Sequence, residues 1–264
     1  MSHPGRIIDS HVHLDHIAGH TPHRIQWLKD RGCAVVSWAW CAKPETVEDM
    51  RIYLTGKRAV IHRLNADGLS CGYLAGIHPR NITADMTPEA AVGLVRPFLD
   101  DPLCLGIGEI GLEHDDLNEK EILRAQLSLA PVVSAAGKKI GLHTPRGNKT
   151  AVTLALLAVL EAMPEIKPMA VIDHCDEKTL PAVLEAGYPA GLTLSPAKTD
   201  WHSLPALVET HADAIDRIMC NTDSGTTFHE DLVRAAAAGQ IDPAAAGKIF
   251  HNNAAIFFNL ERYV

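Results

Sequence analysis

No apolar run in this sequence approaches the ~20 residues that cross a bilayer as a helix. The opening Met1-Ser2-His3-Pro4-Gly5-Arg6 lacks the apolar core of a signal peptide. A membrane partner is therefore not expected, and a cytoplasmic chain is. There is no Cys-x-x-Cys either. The six cysteines, Cys33, Cys41, Cys71, Cys104, Cys175 and Cys220, mostly stand in or beside apolar runs, as small buried thiols in a reducing compartment do. Long basic runs are missing, and the formal charge is -8. Nucleic acid is thus not favoured as a bulk electrostatic partner, although a local patch can coexist with a negative total. Linkers, low-complexity tracts and sequence repeats are also absent.

What is present is ordinary for a soluble globular chain: 264 residues, 47% hydrophobic and 21% charged, ample for a large core. Short apolar stretches alternate with amphipathic ones. Strands are expected at about 6–10, 33–38, 73–77, 103–108, 138–142, 169–173, 190–194 and 217–221. Helices are expected at about 21–31, 44–57, 87–99, 119–136, 148–163, 177–185 and 201–213. Three more, near 228–238, 243–250 and 253–260, finish the chain. The stretch 59–69 carries no clear pattern. Pro44, and Thr87 with Pro88, mark helix starts, and Asn118 is the expected cap of the long helix from 119. Eight apolar strands, each followed by a helical segment, predict a single (β/α)₈ TIM barrel over 1–264 with extra C-terminal helices. An open doubly wound sheet is the competitor, and the strand count favours the barrel.

The chemistry gathers where strands end. Ile7-Ile8-Asp9-Ser10-His11-Val12-His13 places two imidazoles two residues apart, on one side of an extended strand. His78 follows the third expected strand, Glu109 the fourth, His143 the fifth, His174 the sixth and Asp223 the eighth. In a barrel these ends form one face, and that face carries active sites. Any one of these residues alone reads as a helix cap or a structural histidine. Together they form a mixed nitrogen and oxygen set suited to zinc, manganese or iron. A carboxylate can bridge two ions, so the single Glu109 points to a two-metal site.

Ile8-Asp9-Ser10-His11-Val12-His13, Gly76-Ile77-His78-Pro79, Gly108-Glu109-Ile110-Gly111-Leu112, Leu142-His143, Asp173-His174 and Thr222-Asp223-Ser224 together resemble the TatD-like metal-dependent hydrolases of the amidohydrolase superfamily. His251-Asn252-Asn253-Ala254-Ala255-Ile256-Phe257 resembles that family's closing helix. The resemblance implies one ion on His11, His13 and Asp223 and another on His143 and His174, with Glu109 bridging. Zinc is the first expectation; manganese, magnesium and iron are the alternatives. Asp223 would also orient the attacking water and take its proton, so Asp223 and Glu109 are the expected catalytic pair.

The loops depart from the nuclease-type pattern. They read His143-Thr144-Pro145-Arg146-Gly147-Asn148-Lys149, His174-Cys175-Asp176-Glu177 and Ser195-Pro196-Ala197-Lys198, and Glu113 stands where many members have Asp. The chain looks like a divergent TatD-related branch, so DNase activity does not follow from the fold alone, and a nucleic-acid phosphodiester stays among the candidate substrates. The expected substrate is a phosphoester or another small polar ester, amide or lactone. His78, Arg146 and Lys198 are its candidate contacts, and Lys149 stands beside them as a further cation. Glu113, Asp115 and Asp116 read as a solvated loop, with Glu113 facing the pocket as the alternative. Trp38, Trp40 and Cys41 read as a roof over the barrel in preference to an apolar wall for substrate. The reading from a different class is an accessory or scaffold protein that binds metal but has lost turnover.

Overall fold

In a computed structural model, residues 6–260 are described. The first five residues of the amino-terminal segment considered above therefore lie outside it. Eight parallel strands follow one another in sheet order: β1 (Ile8–Val12), β2 (Ala34–Ser37), β3 (Cys71–Ala75), β4 (Cys104–Gly111), β5 (Lys139–His143), β6 (Ala170–Cys175), β7 (Ala190–Thr193) and β8 (Ile218–Asn221). Between and after them run α1 (Leu14–His20), α2 (His23–Asp30), α3 (Val47–Ala66), α4 (Pro88–Val95), α5 (Leu117–Leu127), α6 (Ala130–Ala135), α7 (Lys149–Glu161), α8 (Leu180–Glu185) and α9 (Leu204–Thr210). After β8 come α10 (Asp231–Ala238), α11 (Pro243–Gly247) and α12 (Asn253–Phe257). This is the (β/α)₈ barrel with additional C-terminal helices. No described helix is long and apolar enough to cross a membrane.

The seam between β8 and β1 is closed by a few specific bonds. His13 N–H donates to the Ser224 carbonyl at 2.7 Å, and Asp223 N–H to the His11 carbonyl at 3.0 Å. Below them the Asp9 carboxylate accepts from Thr222 N–H at 3.0 Å and from its hydroxyl at 2.6 Å. Burial drives the Asp9 carboxyl up to about 7 against those bonds.

The apolar core forms two layers, as alternate strand residues point in and out. The larger lies between strands and helices. The smaller fills the barrel interior with Ile8, Val36, Trp38, Leu74 and Met219, and the α12 segment closes it with Phe257 and Phe258. A Cβ on Gly141 would come within 2.5 Å of the Trp38 ring, so the bare glycine is what admits the indole.

The helix expected at 119–136 divides into α5 and α6, and α2, α8, α9 and α10 begin two or three residues later than expected. Asp116, not Asn118, caps α5, accepting from Glu119 N–H, because the helix begins at Leu117. α3 is capped by Thr46, whose side chain and Asp49 form a capping box, and it runs through the patternless stretch to Ala66.

Candidate metal centre

β1 delivers the first two imidazoles. His11 lies inside the strand and His13 directly after it, with ring centroids 5.1 Å apart. Trp38 stacks on His11 at 4.1 Å between centroids, nearly parallel, and is itself anchored by Nε1–H donating to the Ser10 carbonyl at 2.8 Å. His11 Nδ1 sits 2.5 Å from Asp173 Oδ2. Its Nε2 is buried without a hydrogen-bond partner, 3.4 Å from Glu109 Oε2 and 3.6 Å from Asp223 Oδ1.

Glu109 stands at the centre. While Oε2 faces His11, Oε1 lies 2.6 Å from His143 Nδ1 and 3.1 Å from His174 Nε2. Asp223 completes the ring, with Oδ1 3.0 Å from His13 Nε2. Two of these residues, His174 at φ 61° and Asp223 at φ 53°, adopt the left-handed backbone that favours glycine. Such conformations cost about 1–3 kcal/mol each and gather at functional sites. Each is held by a specific contact: Lys149 Nζ donates to the His174 carbonyl at 2.5 Å, and Asp223 N–H to His11 as above.

The field here favours positive charge. Burial opposes ionisation of Glu109, yet His11 and His143 hold its carboxyl well below the usual range. Burial also opposes ionisation of Asp223, and Lys198 and His13 reverse it in the same way. Burial pushes the His11 imidazole down, but Glu109 and Asp173 outweigh it and carry it up to about 10. His174 goes the other way, down to about 4, through burial and then Lys198.

A divalent cation fits these residues on three grounds. His11 Nε2 is buried without a hydrogen-bond partner, the donors are imidazole nitrogens and carboxylate oxygens, and the local charge calls for a cation. Ligand atoms fall within 4.8 Å of one another in three overlapping sets: His11, His13, Glu109; His11, His174, Asp223; and His78, Glu109, His143.

All six residues expected to hold metal thus converge, as do the three candidate substrate contacts. All but His11, which lies fully buried behind them, open onto one cavity of about 230 Å³, walled also by Trp40, Arg80 and Thr144. Lys198 Nζ is 2.8 Å from Asp223 Oδ2 and 2.7 Å from His174 Nδ1. The His78 side chain has a fixed polarity. Arg80 N–H donates to its Nδ1 at 3.0 Å, and burial together with His143 pushes its pKa well below the usual value. The imidazole is neutral, so its one proton is on Nε2.

Three expectations need correcting. Glu113 is not a solvated residue: it is buried, with Oε2 3.0 Å from His143 Nε2 and Oε1 2.5 Å from an Arg80 nitrogen. Burial raises its carboxyl, but His143 and Arg80 prevail and bring it down to about 2. Trp38 is a floor beneath His11, and only Trp40 belongs to the cavity wall. Lys149 spends its ammonium on the His174 backbone. The sequence reading also gave no role to Asp173, Thr193 or Asn221, which lie directly behind the imidazoles.

A family model described as TatD related DNase matches residues 8–229. An uncharacterised metal-dependent hydrolase of Methanocaldococcus jannaschii is 29% identical over 130 residues, 49% of each chain. The match therefore spans about half the length of that curated relative. Among solved structures, a TatD-like protein of Archaeoglobus fulgidus shares 30% identity over 96% of this chain and 99% of its own, with a TM-score of 0.75. The phosphotriesterase homology protein of Escherichia coli is 14% identical over 97% and 99% of the two chains, with a TM-score of 0.68, and shares the fold.

Proposed function

Since the chain belongs to the TatD-related DNase family, we propose that it is a divalent-metal-dependent hydrolase of small anionic esters, phosphoesters first among them. The observation that carries this is the convergence of His11, His13, Glu109, His143, His174 and Asp223 around one cavity, with the buried, unpartnered His11 Nε2 behind it. His11, His13 and Asp223 would hold one ion and His143 and His174 the other. Glu109, whose two oxygens face the two groups, would be shared. Zinc is the first candidate, before manganese, magnesium and iron. When bound, such ions supply Lewis acidity and make water acidic enough to attack near neutral pH.

The chain's own residues do the rest. Asp223 is the most accessible of the carboxylates, with its side chain 19% exposed, and it is ionised, so it can orient a water and accept its proton. Lys198 holds the second oxygen of Asp223 and fixes its rotamer. His78 lines the cavity with Nε2 3.7 Å from Glu109 Oε1, and its Nε2–H can be shared with a substrate oxygen there. Arg146 and Arg80 line the entrance and favour an anion. A cavity of about 230 Å³ lies below the roughly 300–1,000 Å³ usual for ligand pockets. That size, together with the net charge of -8, supports a small substrate over a nucleic acid strand.

The test is elemental analysis of chelator-free, untagged protein, followed by hydrolysis assays on phosphomonoester, phosphodiester, ester, amide and lactone panels. Near two ions per chain with turnover on a small anionic ester is expected. Metal without turnover on any panel would leave the scaffold reading standing. No metal after zinc or manganese is supplied would end the site reading. Salt-sensitive binding and cleavage of single-stranded DNA would move the substrate to a polymer.

A further inference from the structure

Behind the proposed ion positions a buried chain of hydrogen bonds runs from one imidazole to another. His11 Nδ1 meets Asp173 Oδ2 at 2.5 Å. Asp173 Oδ1 accepts from Asn221 Nδ2 at 2.8 Å. Asn221 Oδ1 accepts from the Thr193 hydroxyl at 2.9 Å, and Thr193 Oγ1 lies 2.8 Å from His174 Nδ1. Asp173, Asn221 and Thr193 are each at most 1% exposed, so no water substitutes for a missing partner. Thr193 and Asn221 are direct register partners on β7 and β8. A Cβ on Gly191 would fall 1.8 Å from Asp173 Oδ1, so that glycine is the space in which the carboxylate stands.

The direction of every bond follows from one fact: an ionised carboxylate only accepts. His11 must therefore carry its proton on Nδ1, and Asn221 must turn its amide nitrogen toward Asp173. The Asn221 oxygen is then left to accept, which makes the Thr193 hydroxyl its donor. Thr193 Oγ1 keeps its lone pairs for His174, an acceptor that favours the tautomer with the proton on Nδ1. Both Nε2 atoms face Glu109, at 3.4 and 3.1 Å, and once an ion displaces the second proton of His11 both would offer it a lone pair.

We infer that Asp173, Asn221 and Thr193 are positioning residues that set the tautomers of His11 and His174 together, so that retention of one ion is linked to retention of the other. This rests on the ion site proposed above. Lys198 Nζ also lies 2.7 Å from His174 Nδ1, but an ammonium can only donate, so it competes with this arrangement. Asp173 Oδ2, 3.3 Å from the same nitrogen, is a second acceptor in its favour.

The experiment strips the full-length chain of metal and titrates it with zinc against a chromophoric chelator, for wild type, Asp173→Asn, Thr193→Val and Thr193→Ser. Circular dichroism and unfolding cooperativity of the stripped proteins check that each variant is folded. Wild type should take up two equivalents. D173N should lose about 10–100-fold in affinity at both, the range for removing a histidine's outer partner. T193V should lose less, with the larger loss in one equivalent, and T193S should restore wild-type binding. Unchanged binding by folded D173N and T193V would overturn the linkage while leaving the site intact, and would give the His174 nitrogen to Lys198. Equal losses in T193V and T193S would show that Thr193 acts by packing and would also overturn it. Should wild type bind no zinc, the site reading falls and the linkage with it.

Discussion

The two sides of Glu109 are braced by different materials. On the His11 side the imidazole is pinned between the Trp38 face and the Asp173 carboxylate, all of it shut away from solvent. On the His143 side the imidazole leans on Glu113, and Glu113 in turn on Arg80, whose side chain is 51% exposed. Electrostatic bonds strengthen as the surrounding dielectric falls, and an unpaired polar group there costs more. The first side should hold its geometry stiffly and fail abruptly when a partner is lost. The second should yield gradually, since water can stand in for Arg80 and partly for Glu113.

Replacing what the two sides share should have the largest effect. E109Q removes the charge that faces both groups of rings and should reduce bound metal on both, while D223N should lower kcat by about 10²–10⁴-fold, as removal of a general base does, with metal content falling less. Metal analysis beside steady-state kinetics distinguishes the two. Stripping the ions with chelator should abolish hydrolysis and lower the melting temperature. A site filled at 100 times its dissociation constant contributes about 2.7 kcal/mol, and calorimetry with and without zinc measures it. G141A should act on the first side alone, since the new methyl meets Trp38. Overpacking of this kind costs about 1–3 kcal/mol, read from denaturant midpoints.

Smaller changes belong to the second side. E113Q keeps the shape but weakens the support of His143. It should cost less zinc affinity than D173N does, at the low end of the ~10–100-fold range; a loss equal to that of D173N would mean the two braces are equivalent. R146A, at the exposed rim, should raise KM for an anionic ester by up to about tenfold, with kcat nearly unchanged, in keeping with about 1.5 kcal/mol for a charged hydrogen bond. Added salt should shrink that difference.

Much of this was legible in the sequence because it depends on strand ends. His11, His13, Glu109, His143, His174 and Asp223 each sit where an apolar run stops, and the barrel topology then brings them together. The bracing was not legible. Strand periodicity puts Asp173 and His174 on opposite faces, and only the left-handed turn at His174 lets both serve the same centre. Thr193 and Asn221 look like ordinary strand ends until the β7–β8 register sets them side by side. Glu113 lay beside Asp115 and Asp116 and took on their solvated appearance. Trp38 belonged to the interior only because Gly141, a hundred positions away in sequence, leaves room for it.

Trp38 also gives the chain an optical gauge of its own. It is one of four tryptophans, and its ring lies flat against His11, so its excited state feels whatever charge that imidazole carries. A proton on His11 and a transition ion on it would dim or shift the indole emission differently. Trp38→Phe, with the other three indoles kept as a reference, isolates that signal. The filling of the proposed centre can then be followed by light, with no substrate in hand.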